Sequence, residues 1–168
     1  MTDQIKIAPC LWFNKNAEEA ANFYCSIFPD SHVDRVSRAA ADAPGLTKGD
    51  VISVDWTLSG KPFQGINGGP EFTFSEAISF SIDCADQAEV DRYWDALTAG
   101  GGEPGPCGWL KDRFGVSWQV VPRRLGELLD GDDPAASQRA MEAMLQMGKL
   151  DVAGLEAAYR GEAVGASR

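Results

Sequence analysis

Few side chains in this chain could carry chemistry. Asp55 is the carboxylate best placed inside an alternating run, Val51-Ile52-Ser53-Val54-Asp55-Trp56-Thr57-Leu58. Taken out of water, its carboxyl would titrate higher and could act as a general base; on an open strand it is an ordinary solvated acid. Cys107 would be a nucleophile if a cation lowered its pKa. Lys111 is close in sequence, but strand alternation puts the two on one side only if no bulge intervenes. With no histidine beside it, Cys107 reads first as a buried structural thiol. Gln119 could orient a carbonyl or a water, or close a structural hydrogen bond. Trp12 and Trp109 could stack on a flat ligand or fill the core. Asp112, in Lys111-Asp112-Arg113, is expected to bond backbone amides in a turn. The four cysteines, Cys10, Cys25, Cys84 and Cys107, form no CxxC pair, and His32 is the single histidine. Zinc-finger and dithiol chemistry are therefore excluded, free thiols are expected, and His32 reads as a strand-edge residue.

The elements that must hold these residues repeat. Asn16 precedes Ala17-Glu18-Glu19-Ala20-Ala21-Asn22-Phe23-Tyr24, with an acid three residues after the cap. Asp86, 70 residues later (86 minus 16), precedes Gln87-Ala88-Glu89-Val90-Asp91-Arg92-Tyr93-Trp94 in the same design. Both segments predict a capped helix ending in an aromatic pair. Their apolar stripes are Ala20, Phe23 and Ile27, and Val90, Tyr93 and Leu97. Each helix follows a β-rich run, residues 5–13 and 77–84. Further strands are expected at 33–38, 51–58, 63–67, 106–110 and 116–121. Beyond Pro122 the pattern turns helical, at 125–129, 134–147 and 152–159, with Asp133 and Asp151 as caps. The divisions expected are 1–70 and 71–123 for the two modules, 124–161 for the helical segment and 162–168 for a disordered tail.

Alternation also sorts side chains by face. Ser53, Asp55 and Thr57 share one strand face, Ser79, Ser81 and Asp83 another, and Ser117 and Gln119 a third. Their sequence neighbours are apolar. The polar faces either line a groove or meet solvent, as antiparallel sheets often allow.

Composition narrows the partners. The 168 residues suit one globular unit, and chains of that size bury roughly 70% of their unfolded surface without needing a metal or disulfide. A formal net charge of -10 opposes binding to nucleic acid. No run approaches the ~18 apolar residues of a membrane span, and residues 1–8 lack a basic-then-apolar signal, so a cytoplasmic protein is expected. The glycine-rich pieces, residues 65–70 and 100–105, follow a short strand and a helix end. They read as turns, whereas a sulfonium cofactor would sit in a Gly-rich loop between a strand and a helix.

Several motifs carry a resemblance. Trp12-Phe13, the Ala17-to-Tyr24 helix, Ile27-Phe28-Pro29-Asp30-Ser31, Asn67-Gly68-Gly69-Pro70, Ala77-Ile78-Ser79-Phe80-Ser81, Cys107-Gly108-Trp109-Leu110-Lys111-Asp112 and Trp118-Gln119 are similar to the vicinal-oxygen-chelate (glyoxalase/bleomycin-resistance) superfamily. Within it they resemble the PhnB-like branch often labelled demethylubiquinone methyltransferase. The resemblance implies an α+β fold of two βαβββ modules forming a mixed, curved sheet or open barrel, plus the C-terminal helices. It implies a homodimer and a ligand groove in which Trp12, Ser53, Asp55, Gln64, Ser79, Ser81, Trp109 and Gln119 are the expected contacts. In the wider family a divalent cation is held by the first and last strand of each module. Matching by resemblance puts Pro9, Gln64, Ser79 and Gln119 there. These are poor ligands, so neither a metal nor another cofactor is expected. The function expected is metal-independent binding of a small molecule. The alternatives are a metal-free enzyme using Asp55 or Cys107, and a scaffold whose C-terminal helices bind a protein.

Overall fold

The computed structural model describes residues 7–162; the residues assigned to a disordered tail lie outside these except Glu162. The chain divides into two compact units between Phe74 and Ser75. The first contains β1 (Cys10–Phe13), α1 (Ala17–Ile27), β2 (His32–Arg38), β3 (Val51–Leu58) and β4 (Lys61–Asn67). The second contains β5 (Ser79–Cys84), α2 (Gln87–Thr98), β6 (Glu103–Pro104), β7 (Trp109–Lys111) and β8 (Ser117–Pro122). It continues into α3 (Arg123–Leu129), α4 (Pro134–Met144) and α5 (Val152–Arg160).

Both units use one topology. The sheet orders are β1-β4-β3-β2 and β5-β8-β7-β6. In each, the first strand runs parallel to the last and the remaining pairs are antiparallel. The repeat read from the helices is thus a repeat of whole βαβββ modules, and the fold is α+β.

Alternation decides which sheet face is buried. Along β3, Val54, Trp56 and Leu58 are buried while Ser53, Asp55 and Thr57 are half-buried. Along β8, Trp118 and Val120 are buried on one face, and Ser117 and Gln119 lie on the other. Helix α1 packs against β3 and β4, and α2 against β7 and β8. The buried stripe of α1 is Ala17, Ala20, Ala21 and Tyr24, not the Ala20-Phe23-Ile27 line expected. The alanines let the helix approach the sheet closely, and the Tyr24 ring lies beside Trp56. In α2 the expected Val90, Tyr93 and Leu97 are buried, joined by Trp94.

Caps differ between the repeats. Asp86 accepts from the Glu89 amide at 2.9 Å, and Glu89 reaches back to the Ala85 amide. Asp133 and Asp151 cap α4 and α5 as expected. The side chain of Asn16 does not cap α1. Asn67, at the end of β4, accepts from the Ala17 amide at 3.0 Å and donates to the Val51 carbonyl at 3.0 Å. One side chain therefore starts the helix and ties it to the sheet.

Some boundaries move. Residues 7–9 are not strand, so β1 begins at Cys10. The strand expected at 106–110 is a turn followed by β7, because Cys107 and Gly108 have φ of 56° and 82°. Helix α4 stops at Met144, after which Gln146 and Met147 donate three residues back, to Ala143 and Met144. The helical segment has its own core of Leu125, Leu128, Ala140, Leu150 and Leu155.

Candidate functional site

In the first unit the register lines up four residues on the polar face. Cys10 pairs with Gln64, Gln64 with Asp55, and Asp55 with Arg35. Asp55 uses both oxygens: Oδ2 accepts from Arg35 Nε at 3.1 Å, and Oδ1 from Gln64 Nε2 at 3.1 Å. With both oxygens engaged by neighbouring side chains, this carboxylate is poorly placed to take a proton from a substrate. Its effect falls instead on Cys10, whose thiol is pushed up by burial and then by the Asp55 charge. With one N–H given to Asp55, Gln64 has its amide oxygen left as an acceptor and a second N–H left as a donor.

Ser53 and Trp12 lie on the same face, both flanking Ile66. The Trp12 indole donates to the Gly69 carbonyl at 2.9 Å and meets Phe72 edge-on, with ring centroids 4.9 Å apart. A Cβ on Gly68 would fall 2.2 Å from the Trp12 ring, so only glycine allows this ring position. His32 begins the edge strand β2 and pairs with Asp34 at 3.0 Å.

The second unit repeats the row with different chemistry. Ser81 pairs with Gln119, and Gln119 with Trp109. Cys10–Gln64–Asp55 and Ser81–Gln119–Trp109 thus occupy matching places. The position expected for Pro9 is filled by Cys10: the parallel register sets Cys10, not Pro9, beside Gln64. Likewise Ser81 stands directly opposite Gln119, while Ser79 stands opposite Ser117. Ser79 is still engaged, because Gln119 Nε2 donates to its Oγ at 2.9 Å. Gln119 therefore repeats the arrangement of Gln64, one N–H engaged and its oxygen left as an acceptor.

Beside this row lies a cavity of about 200 Å³, bordered by Trp109, Lys111, Ser117, Glu76, Pro104 and Pro106. Lys111 pairs with Glu76 in the turn before β5. The hydrogen bond from Lys111 lowers the Glu76 carboxyl below its usual value, and the same bond raises Lys111. The Lys111 charge is therefore committed to Glu76, not to Cys107.

Cys107 is not in a strand. It sits half-buried in a turn, and its amide donates to the Met147 carbonyl at 2.7 Å. Asp112 is buried and saturated: it accepts from the Phe114 and Val116 amides and from the Trp118 indole. It fixes the β7–β8 turn as expected, and its reach to Trp118 also locks that ring.

Arg35, Cys10, Ser117 and Glu76 were not among the expected contacts. Arg35 and Cys10 were within reach of strand parity once the register was known. Glu76 lies in a turn, where no periodicity applies.

Among the described residues, no group of three or more His, Cys, Asp or Glu side chains could hold a metal ion. The matched first- and last-strand positions offer one thiol, amides and hydroxyls, a donor set that does not fit the hard divalent cation of the wider superfamily. No described helix is long and apolar enough to cross a membrane.

Known proteins agree with this architecture. Residues 5–121 match the family described as 3-demethylubiquinone-9 3-methyltransferase. A PhnB protein of Bacillus cereus is 35% identical, with a TM-score of 0.62, over 70% of this chain and 98% of that one. A Pseudomonas aeruginosa protein shares the fold at 21% identity and a TM-score of 0.58, over 71% of this chain and 98% of that one. So does the fosfomycin resistance protein FosX of Listeria monocytogenes, at 19% identity and a TM-score of 0.52, over 78% of this chain and all of that one. No curated protein matches the chain. Paired βαβββ modules, a family match spanning residues 5–121 and a 35%-identical PhnB protein covered almost end to end place the chain in the PhnB-like 3-demethylubiquinone-9 3-methyltransferase family, on the vicinal-oxygen-chelate fold.

Proposed function

We propose that the protein binds a small oxygenated organic molecule on the polar faces of its sheets, without a metal. One observation carries the reading: Gln64 and Gln119 hold matching positions in the two modules, each anchored by one amide N–H given to a neighbour. Each presents a fixed carbonyl acceptor on the face away from the buried core. That suits a ligand carrying hydroxyl or N–H donors. Ser53, Ser81, Trp12 and Trp109 would supply further hydrogen bonds and flat apolar surface. The donor set supports metal independence: neutral amides and hydroxyls compete poorly for a divalent cation, and Asp55 is already paired with Arg35.

The catalytic alternative is weaker on the same geometry, since Asp55 is engaged at both oxygens and Cys107 lies in a turn while Lys111 is paired elsewhere. The methyl transfer in the family description also lacks a fitting cradle among the described residues. Gly100–Gly102 follow α2, and Gly68–Gly69 follow β4. Neither is the strand-to-helix turn that approaches a nucleoside cofactor. A homodimer in the cytoplasm belongs to the same proposal, and light scattering showing only monomer at micromolar concentration would remove the dimer.

The test is a thermal-shift screen of small oxygenated aromatics with and without EDTA, on the wild type and on Gln64→Leu and Gln119→Leu. Hits should be insensitive to EDTA, and one of the variants should weaken them about fivefold to tenfold, the worth of one hydrogen bond. Hits abolished by EDTA, or one equivalent of metal in the purified protein, would overturn metal independence. Turnover lost in Asp55→Asn or Cys107→Ala would replace the binding reading with the enzymatic one.

A further inference from the structure

We infer that the cavity beside β7 and β8 takes an uncharged, flat ring bearing one hydrogen-bonding group, of the phenol type, held by the Ser117 hydroxyl. The inference deepens the binding reading above and shares Trp109 with it, but rests on its own observation. Ser117 is 1% exposed, and its Oγ has no hydrogen-bond partner among the described residues. Buried hydroxyls are nearly always satisfied, and an orphan costs stability. Ser117 is among the residues that border a cavity.

The neighbours do not supply the missing bond. Ser79 is opposite Ser117, but its Oγ receives the Gln119 amide. Lys111 flanks Ser117 on the other side, but its ammonium is paired with Glu76. The hydroxyl is left with one donor and its acceptor lone pairs. A phenol-type group answers both, since it too donates and accepts.

The walls set the rest of the ligand. Trp109, Pro104 and Pro106 offer apolar surface to a ring. The volume, about 200 Å³, exceeds the roughly 150 Å³ that holds benzene in an engineered cavity, leaving room for a polar substituent. The charge at the rim excludes anions. Glu76 is balanced by Lys111, and Glu103, opposite Lys111 in the register, adds a second carboxylate. A cation could meet Glu103 at the rim, but the buried end of the cavity offers it only the Ser117 hydroxyl, which does not offset its desolvation.

The test uses the full chain and three probes of similar size: phenol, benzoate and benzylamine. Binding is read by NMR titration of the Trp109 indole N–H and by nuclear Overhauser contacts from phenol to the Ser117 and Lys111 side chains. Phenol should bind at millimolar concentration, show those contacts in the unaltered protein, and bind at least about tenfold more tightly than either charged probe. Ser117→Ala should weaken phenol about tenfold while raising the melting temperature of the free protein, because the orphan hydroxyl is gone. Tighter binding of benzoate or benzylamine would overturn the ligand class. Phenol that makes no contact with Ser117, or binds Ser117→Ala equally well, would overturn the site. If Ser117→Ala leaves phenol binding intact while Gln64→Leu or Gln119→Leu weakens it, this inference fails and the broader binding reading survives.

Discussion

Asp55 and Cys10 show how one charge can act through a neighbour. Burial and the Asp55 carboxylate together hold the Cys10 thiol above its ordinary value, so less of it is thiolate at mildly alkaline pH. Asp55→Asn removes the second cause. Cys10 should then be alkylated about twofold to fivefold faster at pH 8, as followed by peptide mass mapping. Cys84 is an internal control: its thiol is pushed up to about 11, chiefly by burial, and should stay unmodified until the protein unfolds. An unchanged Cys10 rate would mean that Asp55 does not act on it across the sheet. At this scale the sequence was readable where strand parity ruled. Ser53, Asp55 and Gln119 could be assigned to polar faces from alternation alone. Ser117 shared that pattern, but alternation says nothing about whether neighbouring hydrogen-bonding groups are already used. Matching to helices by resemblance put Pro9 where the ladder puts Cys10, a slip of one residue that reverses the face of a strand.

Elements were legible where their signals are local and obscured where a distant segment decides. Residues 51–58 form β3 with the expected bounds because the seven residues from Ile52 to Leu58 alternate apolar and polar without interruption. The first residue of α1 looked equally local, since asparagine is a favoured cap, yet Asn67 performs the task from 50 residues away. The two asparagines can be told apart by urea unfolding. Asn67→Ala loses bonds to both the Ala17 amide and the Val51 carbonyl and should cost about 1–3 kcal/mol. Asn16→Ala should cost no more than about 0.5 kcal/mol, the scale of a surface change. Equal losses would restore Asn16 as the cap. The strand expected at 106–110 failed for the same physical reason. Its Cys107 and Gly108 amides do not enter the sheet, because they donate to Met147 and Gly148 at 2.7 and 2.8 Å.

For the molecule as a whole, the repeat and the family were recoverable from caps and motifs, but the role of the C-terminal helices was not. Helices α3–α5 lie beyond the family match at residues 5–121. Contacts within the second unit fasten them. The Gln87 side chain donates to the Leu150 carbonyl and accepts from the Val152 amide, and Lys149 pairs with Asp91. Gly108 sits so close to Leu150 and the Val120 carbonyl that an added Cβ would lie 3.0 and 2.8 Å from them. The same turn, between Gly105 and Trp109, forms part of the cavity wall. Detaching the helices would break the amide bonds that hold this turn, so the wall is expected to deform with them. Free-energy linkage is reciprocal, so whatever fills the cavity must also hold the C-terminal helices down. Saturating phenol should slow amide hydrogen exchange at Cys107 and Gly108 and tryptic cleavage after Lys149, by up to the factor 1 + [L]/Kd. A cavity wall fastened by amides thus makes the chain's own C-terminal stretch a built-in reporter of whether the site is full.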